Sequence, residues 1–349
     1  MRKVGFLAFF LTVFPALVAQ SVSEGTRVRR LSVDRGFVIP HHDDMYHLYR
    51  LTYSAQYQNL KTVTDSKLRL GYMAYGADLG SQTLGYAAAA AVNVERSFGA
   101  GRNAPLYMGF AMGWGWVSNP YEGTTNPSNR AIGSVGNAFG QLYLGGGYSI
   151  TPSLRLHGDI RFSHFSNGAL KAPNLGINMP SFSVGISQEI KAVNWVSGEV
   201  SERQWVPFAS LRAGRKSLDI DDPRAFWVPL LELGMGYRVG KSAQLRFTMA
   251  AHADPFYRFE KFEPLSPFTG ANGLDMGVGV GYHQKFGSWG MLFDMGWYVY
   301  KPNRGYKTPY FEALGLSYDC SNRWTILSRL KANKTTADLI EFGLVHYWD

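Results

Sequence analysis

Two side chains capable of acyl chemistry stand two residues apart near the middle of the chain. The stretch Ser153 to Ser166 reads Ser-Leu-Arg-Leu-His-Gly-Asp-Ile-Arg-Phe-Ser-His-Phe-Ser. As a strand it separates into two faces, because successive side chains alternate. One face carries Leu154, Leu156, Gly158, Ile160 and Phe162 and is continued by His164 and Ser166. The other carries Arg155, His157, Asp159, Arg161 and Ser163. His164 and Ser166 therefore project side by side, their Cα atoms about 6.6 Å apart at ordinary strand rise. An imidazole within reach of a hydroxyl is the first requirement of a histidine-activated serine nucleophile. Polar groups aimed at hydrocarbon are costly and usually functional. At a membrane interface such groups are tolerated, so the spacing by itself leaves a catalytic and an interfacial reading open.

The elements that must position this pair are long alternating strands. Sixteen segments show period-2 patterning: 28–39, 46–58, 66–78, 82–96, 105–117, 134–150, 152–165 and 180–190, then 203–215, 226–239, 242–257, 273–286, 288–300, 308–319, 322–333 and 337–348. Most exceed the roughly 9 to 11 residues that cross a bilayer at a tilt. After the first twenty residues, no apolar run approaches the roughly 20 residues of a membrane helix. Aromatic residues form 15% of the chain and charged residues only 17%, with 39 glycines; that balance is opposite to disorder. If the chain enters from the periplasm, the long connections 118–133, 166–179 and 258–272 fall outside, and short turns such as Ile150-Thr151-Pro152 and Asp319 to Asn322 fall inside. This is the asymmetry of an outer-membrane barrel. The expected fold is an all-β antiparallel transmembrane β-barrel of about 14 to 16 strands, with an eight-stranded barrel plus a second β unit as the alternative. The stretch 191–202 is a long inner connection that breaks the loop pattern and suits a boundary between two halves.

Composition narrows the function classes. The net charge of +9 is not gathered into runs, which gives no footprint for nucleic acid. One cysteine, Cys320, excludes an intramolecular disulfide framework and a multi-cysteine zinc site. Arg2 and Lys3 precede the apolar stretches Gly5 to Leu11 and Val13 to Val18, with Ala19 before a cleavage point. Residues 1–20 thus read as a secretory signal peptide.

Beyond the dyad, the residues resemble a known signature. His164-Phe-Ser-Asn-Gly-Ala-Leu-Lys-Ala-Pro-Asn-Leu-Gly-Ile-Asn178 is similar, without gaps, to the segment of PagL-type outer-membrane lipid A 3-O-deacylases. That family carries His-x-Ser-Asn near the outer end of a strand, then Pro-Asn-x-Gly-Ile and an acidic residue. The resemblance implies an eight-stranded barrel with an exterior site, His164 as general base and Ser166 as nucleophile. It also implies that Asn167 and neighbouring backbone amides, including that of Gly168, form the oxyanion hole. The family Glu falls on Asn178, which can orient the ring as an acceptor, as Asn does in papain-like enzymes, but supplies no charge. The resemblance extends to longer, acyloxyacyl hydrolase-like members. Residues 21–191 then form the barrel region carrying the site, and 192–349 add strands that complete one larger barrel. The implied activity is a carboxylic ester hydrolase acting on lipid A or lipopolysaccharide in the bacterial outer membrane, with no metal or cofactor in its mechanism. The rivals are a porin-like channel and a non-catalytic lipopolysaccharide-binding barrel.

Other residues invite weaker readings. Arg130 and Lys171 are placed to meet lipid phosphates, and exposed basic residues are also common. His41-His42-Asp43-Asp44 offers suitable cation ligands but equally a solvated loop. Asn126 to Gly133 can hold a loop over the site or form an ordinary turn-rich connection. Cys320 falls on an inner turn, away from the chemistry.

Overall fold

The computed structural model describes residues 24–39, 51–62, 68–98, 106–193, 205–217, 224–238, 243–254, 273–301, 309–333 and 336–348. Residues 1–20, read above as a signal peptide, the His41–Asp44 cluster and the 258–272 connection lie outside the described residues. Every expected strand is present. The first eight are β1 (Glu24–Phe37), β2 (Leu51–Thr62), β3 (Leu68–Asp78), β4 (Tyr86–Phe98), β5 (Leu106–Val117), β6 (Gly136–Ser149), β7 (Leu154–Ser166) and β8 (Ile177–Val193). The rest are β9 (Trp205–Ser217), β10 (Ala225–Arg238), β11 (Ala243–Ala253), β12 (Leu274–Phe286), β13 (Trp289–Tyr300), β14 (Tyr310–Asp319), β15 (Trp324–Asn333) and β16 (Thr336–Tyr347).

The strands do not close as one ring. β1 pairs antiparallel with β8, and β16 with β9, giving two closed barrels of eight strands each. The larger single barrel is therefore replaced by the alternative, an eight-stranded barrel followed by a second β unit. The physical reason is edge pairing. β1 meets β8 over thirteen consecutive Cα pairs, from Glu24↔Val193 to Gly36↔Ser181, so neither edge is left to receive β9.

An eight-stranded barrel has an interior just wide enough for side chains to fill, and both lumens are filled. In the first barrel, the inner half holds ion pairs: Arg30–Glu95 at 2.6 Å, Arg69–Glu95 at 3.0 Å, and Arg161 with Asp34 at 2.7 Å and Asp159 at 2.5 Å. Tyr107 donates to Asp159 there. The outer half is apolar. Phe139 and Phe165 rings stand 4.9 Å apart, with Tyr75 against both. Small inward residues on β4 and β5 (Ala87, Ala89, Ala91 and Gly115) leave the room; a Cβ on Gly115 would sit 2.5 Å from the Phe165 ring. In the second barrel, Arg212, Arg246 and Arg329 interleave with Glu232, Asp294 and Glu341. Outward positions are apolar on both barrels, for example Ile160 and Leu211, 60% and 67% exposed. Charged inside and apolar outside is the arrangement of a transmembrane barrel.

Candidate active site

The outer end of the β7–β8 pair is aligned from within. Phe165, Ile177 and Met179 are buried in the apolar half of the first lumen. Because Phe165 points inward, its neighbours His164 and Ser166 must point out. The same alternation turns Asn178 outward between Ile177 and Met179. The antiparallel register places Asn178 directly opposite His164. The His164 Nδ1 and Asn178 Oδ1 atoms are 2.6 Å apart. With the amide oxygen facing the ring, Nδ1 carries the proton and donates, so Nε2 is left as the basic nitrogen.

The segment after β7 turns back over Ser166. Gly168 and Ala169 both adopt positive φ, 57° and 60°, and Leu170 N–H donates to Asn167 O at 3.1 Å. The Asn167 side-chain amide donates to the carbonyls of Lys171 at 2.6 Å and Pro173 at 3.4 Å. These contacts bring Asn174 back onto the strand end. Its Oδ1 accepts from Ser166 Oγ at 3.1 Å and from Asn167 N–H at 2.8 Å. Gly168 N–H lies 3.4 Å from Ser166 Oγ. Ser166 is 2% exposed, whereas the face pattern places it on the open exterior stripe. Its hydroxyl is engaged by Asn174 from the turn that follows the strand, a contact that face alternation does not express.

A second layer holds the turn. Gly176 N–H donates to Ala131 O at 2.9 Å, tying it to the 118–135 connection. That connection is braced by Asn126, which donates to Thr83 O and Asn119 O, and by Asn129, which donates to Asn119 O and accepts from Ala131 and Ile132 N–H. Gly176 has φ of 80°, and a Cβ there would stand 2.7 Å from His164 Cε1. The imidazole therefore packs against a position where only glycine leaves space.

His164 and Asn178 meet at the end of the β7–β8 pair; Ser166, two residues further along the chain, is held by Asn174, with Gly168 N–H beside its hydroxyl. Asn167 sits in the same turn, where its side-chain amide donates to the carbonyls of Lys171 and Pro173 and its N–H to Asn174. Lys171 and Arg130 are exposed, on the turn and on the 118–135 connection. Cys320 is exposed on the turn between β14 and β15. Among the described residues no group of His, Cys, Asp and Glu is arranged to hold a metal ion. Sequence reasoning did not assign Asn174 or Gly176. Both lie within the Pro-Asn-x-Gly-Ile stretch, but a spacing argument along one strand does not reach residues that return through a turn.

Comparison with known proteins gives two family matches. Residues 47–187 match the family described as lipid A 3-O-deacylase (PagL), and residues 205–348 match the family described as acyloxyacyl hydrolase, C-terminal domain. Among solved structures, Neisserial surface protein A aligns at 12% identity over 47% of this chain and 98% of that one, with a TM-score of 0.36. The outer membrane enzyme PagL aligns at 20% identity over 45% of this chain and 97% of that one, with a TM-score of 0.35. A mutant porin from Rh. blastica aligns at 8% identity over 94% of this chain and all of that one, with a TM-score of 0.19. No curated protein matches the chain.

Proposed function

We propose that this chain, whose residues 47–187 match the lipid A 3-O-deacylase (PagL) family and whose residues 205–348 match the acyloxyacyl hydrolase C-terminal domain family, is an outer-membrane serine esterase that removes an ester-linked acyl chain from lipid A. The observation that carries this reading is the 2.6 Å contact of His164 Nδ1 with Asn178 Oδ1, two residues from Ser166 on the same outward-directed face. With Nδ1 donating to Asn178, Nε2 is the basic nitrogen that takes the proton of Ser166 in this reading.

In the proposed reaction, the Ser166 hydroxyl turns from Asn174 toward His164, and Oγ attacks the ester carbonyl as Nε2 takes its proton. The tetrahedral oxyanion forms beside Gly168 N–H, the backbone donor at 3.4 Å from Oγ. As the C–O bond to the sugar breaks, His164 returns the proton to the leaving alkoxide, and the acyl group remains on Ser166. Water then attacks the acyl-enzyme with His164 again as base, releasing the fatty acid and restoring Ser166. Asn178 holds the ring throughout and stabilises the imidazolium less than a carboxylate would. Lumens packed with ion pairs and aromatic rings favour this reading over a porin-like channel.

The test is mass spectrometry of lipid A from membranes with parent protein, Ser166→Ala or His164→Ala. Loss of one acyl chain is expected with the parent and with neither variant, while each variant keeps the heat-modifiable migration of a folded barrel. Deacylation by folded Ser166→Ala would overturn the mechanism.

A further inference from the structure

Among the described residues, Arg35 stands on the lipid-facing side of β1 without an anion. Along this strand Arg30, Ser32 and Asp34 point inward and are buried, while Leu31 and Val33 are 48% and 59% exposed and Arg35 continues their stripe. Across the sheet it is flanked by Phe182 on β8 and Tyr53 on β2, both more than half exposed. Its guanidinium lies 5.7 Å from the Tyr53 ring centroid. Among the described residues it makes no ion pair; the neighbouring Asp34 faces the lumen and holds Arg161. A cation on an apolar barrel exterior is costly away from headgroups, and the stacking contact on tyrosine orients it without neutralising it.

Its place relative to the dyad gives the charge a use. Arg35 and His164 each sit two residues from the outer end of their strand. Residues His164, Asn178 and Ile39 form one row across β7, β8 and the end of β1. Arg35 lies about 13 Å along β1 from that row and about 10 Å across the two strand spacings. A headgroup whose ester reaches Ser166 has its own anionic groups within this reach. The planar guanidinium fork matches the oxygens of a phosphate in a way that a lysine ammonium does not.

We propose that Arg35 is a specificity-determining residue that binds a phosphate of the lipid headgroup while the ester lies at Ser166. The proposal rests on the deacylase reading of His164 and Ser166. It differs from the expectation for Arg130 and Lys171, which stand on exposed connections rather than on the apolar face that the acyl chains must follow. An arginine that only snorkels to the interface would give no dependence on substrate phosphate.

The experiment compares parent protein, Arg35→Gln and Arg35→Lys in detergent micelles. Two substrates are used: lipid A carrying its phosphates and the same lipid dephosphorylated. The parent is expected to prefer the phosphorylated lipid in kcat/KM by about tenfold or more, the range of a charge-assisted contact. Arg35→Gln should abolish that preference, mainly through KM, and Arg35→Lys should restore part of it. Inhibition of the parent but not of Arg35→Gln by inorganic phosphate would show that the contact also takes free phosphate; without it, the contact is restricted to headgroup phosphate. A parent without preference, or an Arg35→Gln loss equal on both lipids, overturns the proposal. If the parent cleaves neither lipid and a fluorophosphonate does not label Ser166, the deacylase reading fails separately. Equilibrium binding of the same two lipids then judges Arg35: a phosphate preference lost in Arg35→Gln supports the contact, and equal binding refutes it.

Discussion

Adding one methyl group at Gly176 tests whether the turn positions the catalytic ring. An alanine Cβ would lie 2.7 Å from His164 Cε1 and 3.1 Å from Phe165 O, whereas ordinary contact begins at 3.4 Å. The ring must then yield by about 0.7 Å, since Phe165 O belongs to a strand backbone anchored by a buried side chain and moves less readily. A shift of that size away from Asn178 stretches the 2.6 Å contact toward the limit of a useful hydrogen bond. Misplacement of a reacting group by 1 Å can cost about 100-fold, so Gly176→Ala is expected to lower kcat by roughly 10- to 100-fold. Alanine at positive φ also costs about 1 to 2 kcal/mol of stability. Gly287, with φ of 64° on the turn between β12 and β13, carries the same conformational demand far along the chain from the dyad. The assay is kcat and KM on a water-soluble ester for Gly176→Ala and Gly287→Ala, alongside their unfolding midpoints. Comparable destabilisation with a kcat loss confined to Gly176→Ala is expected. If Gly176→Ala keeps the parent kcat, the glycine does not hold the ring and the assigned geometry is wrong.

Further expectations follow from the same contacts. Asn178→Leu removes the acceptor at Nδ1 and should cut kcat by about tenfold or more by freeing the ring's tautomer and orientation; Asn178→Asp should keep or raise kcat, and parent-like turnover in Asn178→Leu would remove Asn178 from the mechanism. Asn174→Ala deprives Ser166 Oγ and Asn167 N–H of their shared acceptor, so kcat should fall while ester binding, read as KM, changes less; an unchanged kcat would show that Asn174 only shapes the turn. Arg161→Leu strands Asp34 and Asp159 in the lumen, and breaking such a buried network costs about 3 to 5 kcal/mol, measurable as a lowered midpoint of barrel unfolding in urea. Ile160→Arg places a charge on the exterior, at a cost of roughly 2 to 4 kcal/mol near the midplane, and should impair lipid A processing more than hydrolysis of a short ester. A photoreactive acyl lipid should label position 160 and not 161; labelling at 161 alone would put the substrate inside the barrel.

Local pattern reached far into this protein, because a strand's face is decided by parity. The alternation in Ser153 to Ser166 is enough to put Ile160 outward, Arg161 inward and His164 on the face of Ser166. Sixteen strands were legible from the same period of two, which needs only neighbours in sequence. What alternation cannot express is which edges meet. A ring of sixteen and two rings of eight share every strand, turn and facing pattern, and they differ only in the closing pairs: β1 with β16 and β8 with β9 in one, β1 with β8 and β9 with β16 in the other. That choice was made by hydrogen bonds between residues far apart in the chain, such as Arg35 opposite Phe182. The site divides along the same line. His164 and Ser166 are related along one strand and could be paired from spacing, whereas Asn178 meets the ring through cross-strand register. Asn174 and Gly176 arrive through a turn with three residues at positive φ. Arg161 shows the limit most plainly. Parity sends it into the lumen, but only the closed barrel brings Asp34, 127 residues away in sequence, to its guanidinium and makes it part of what holds the strands together.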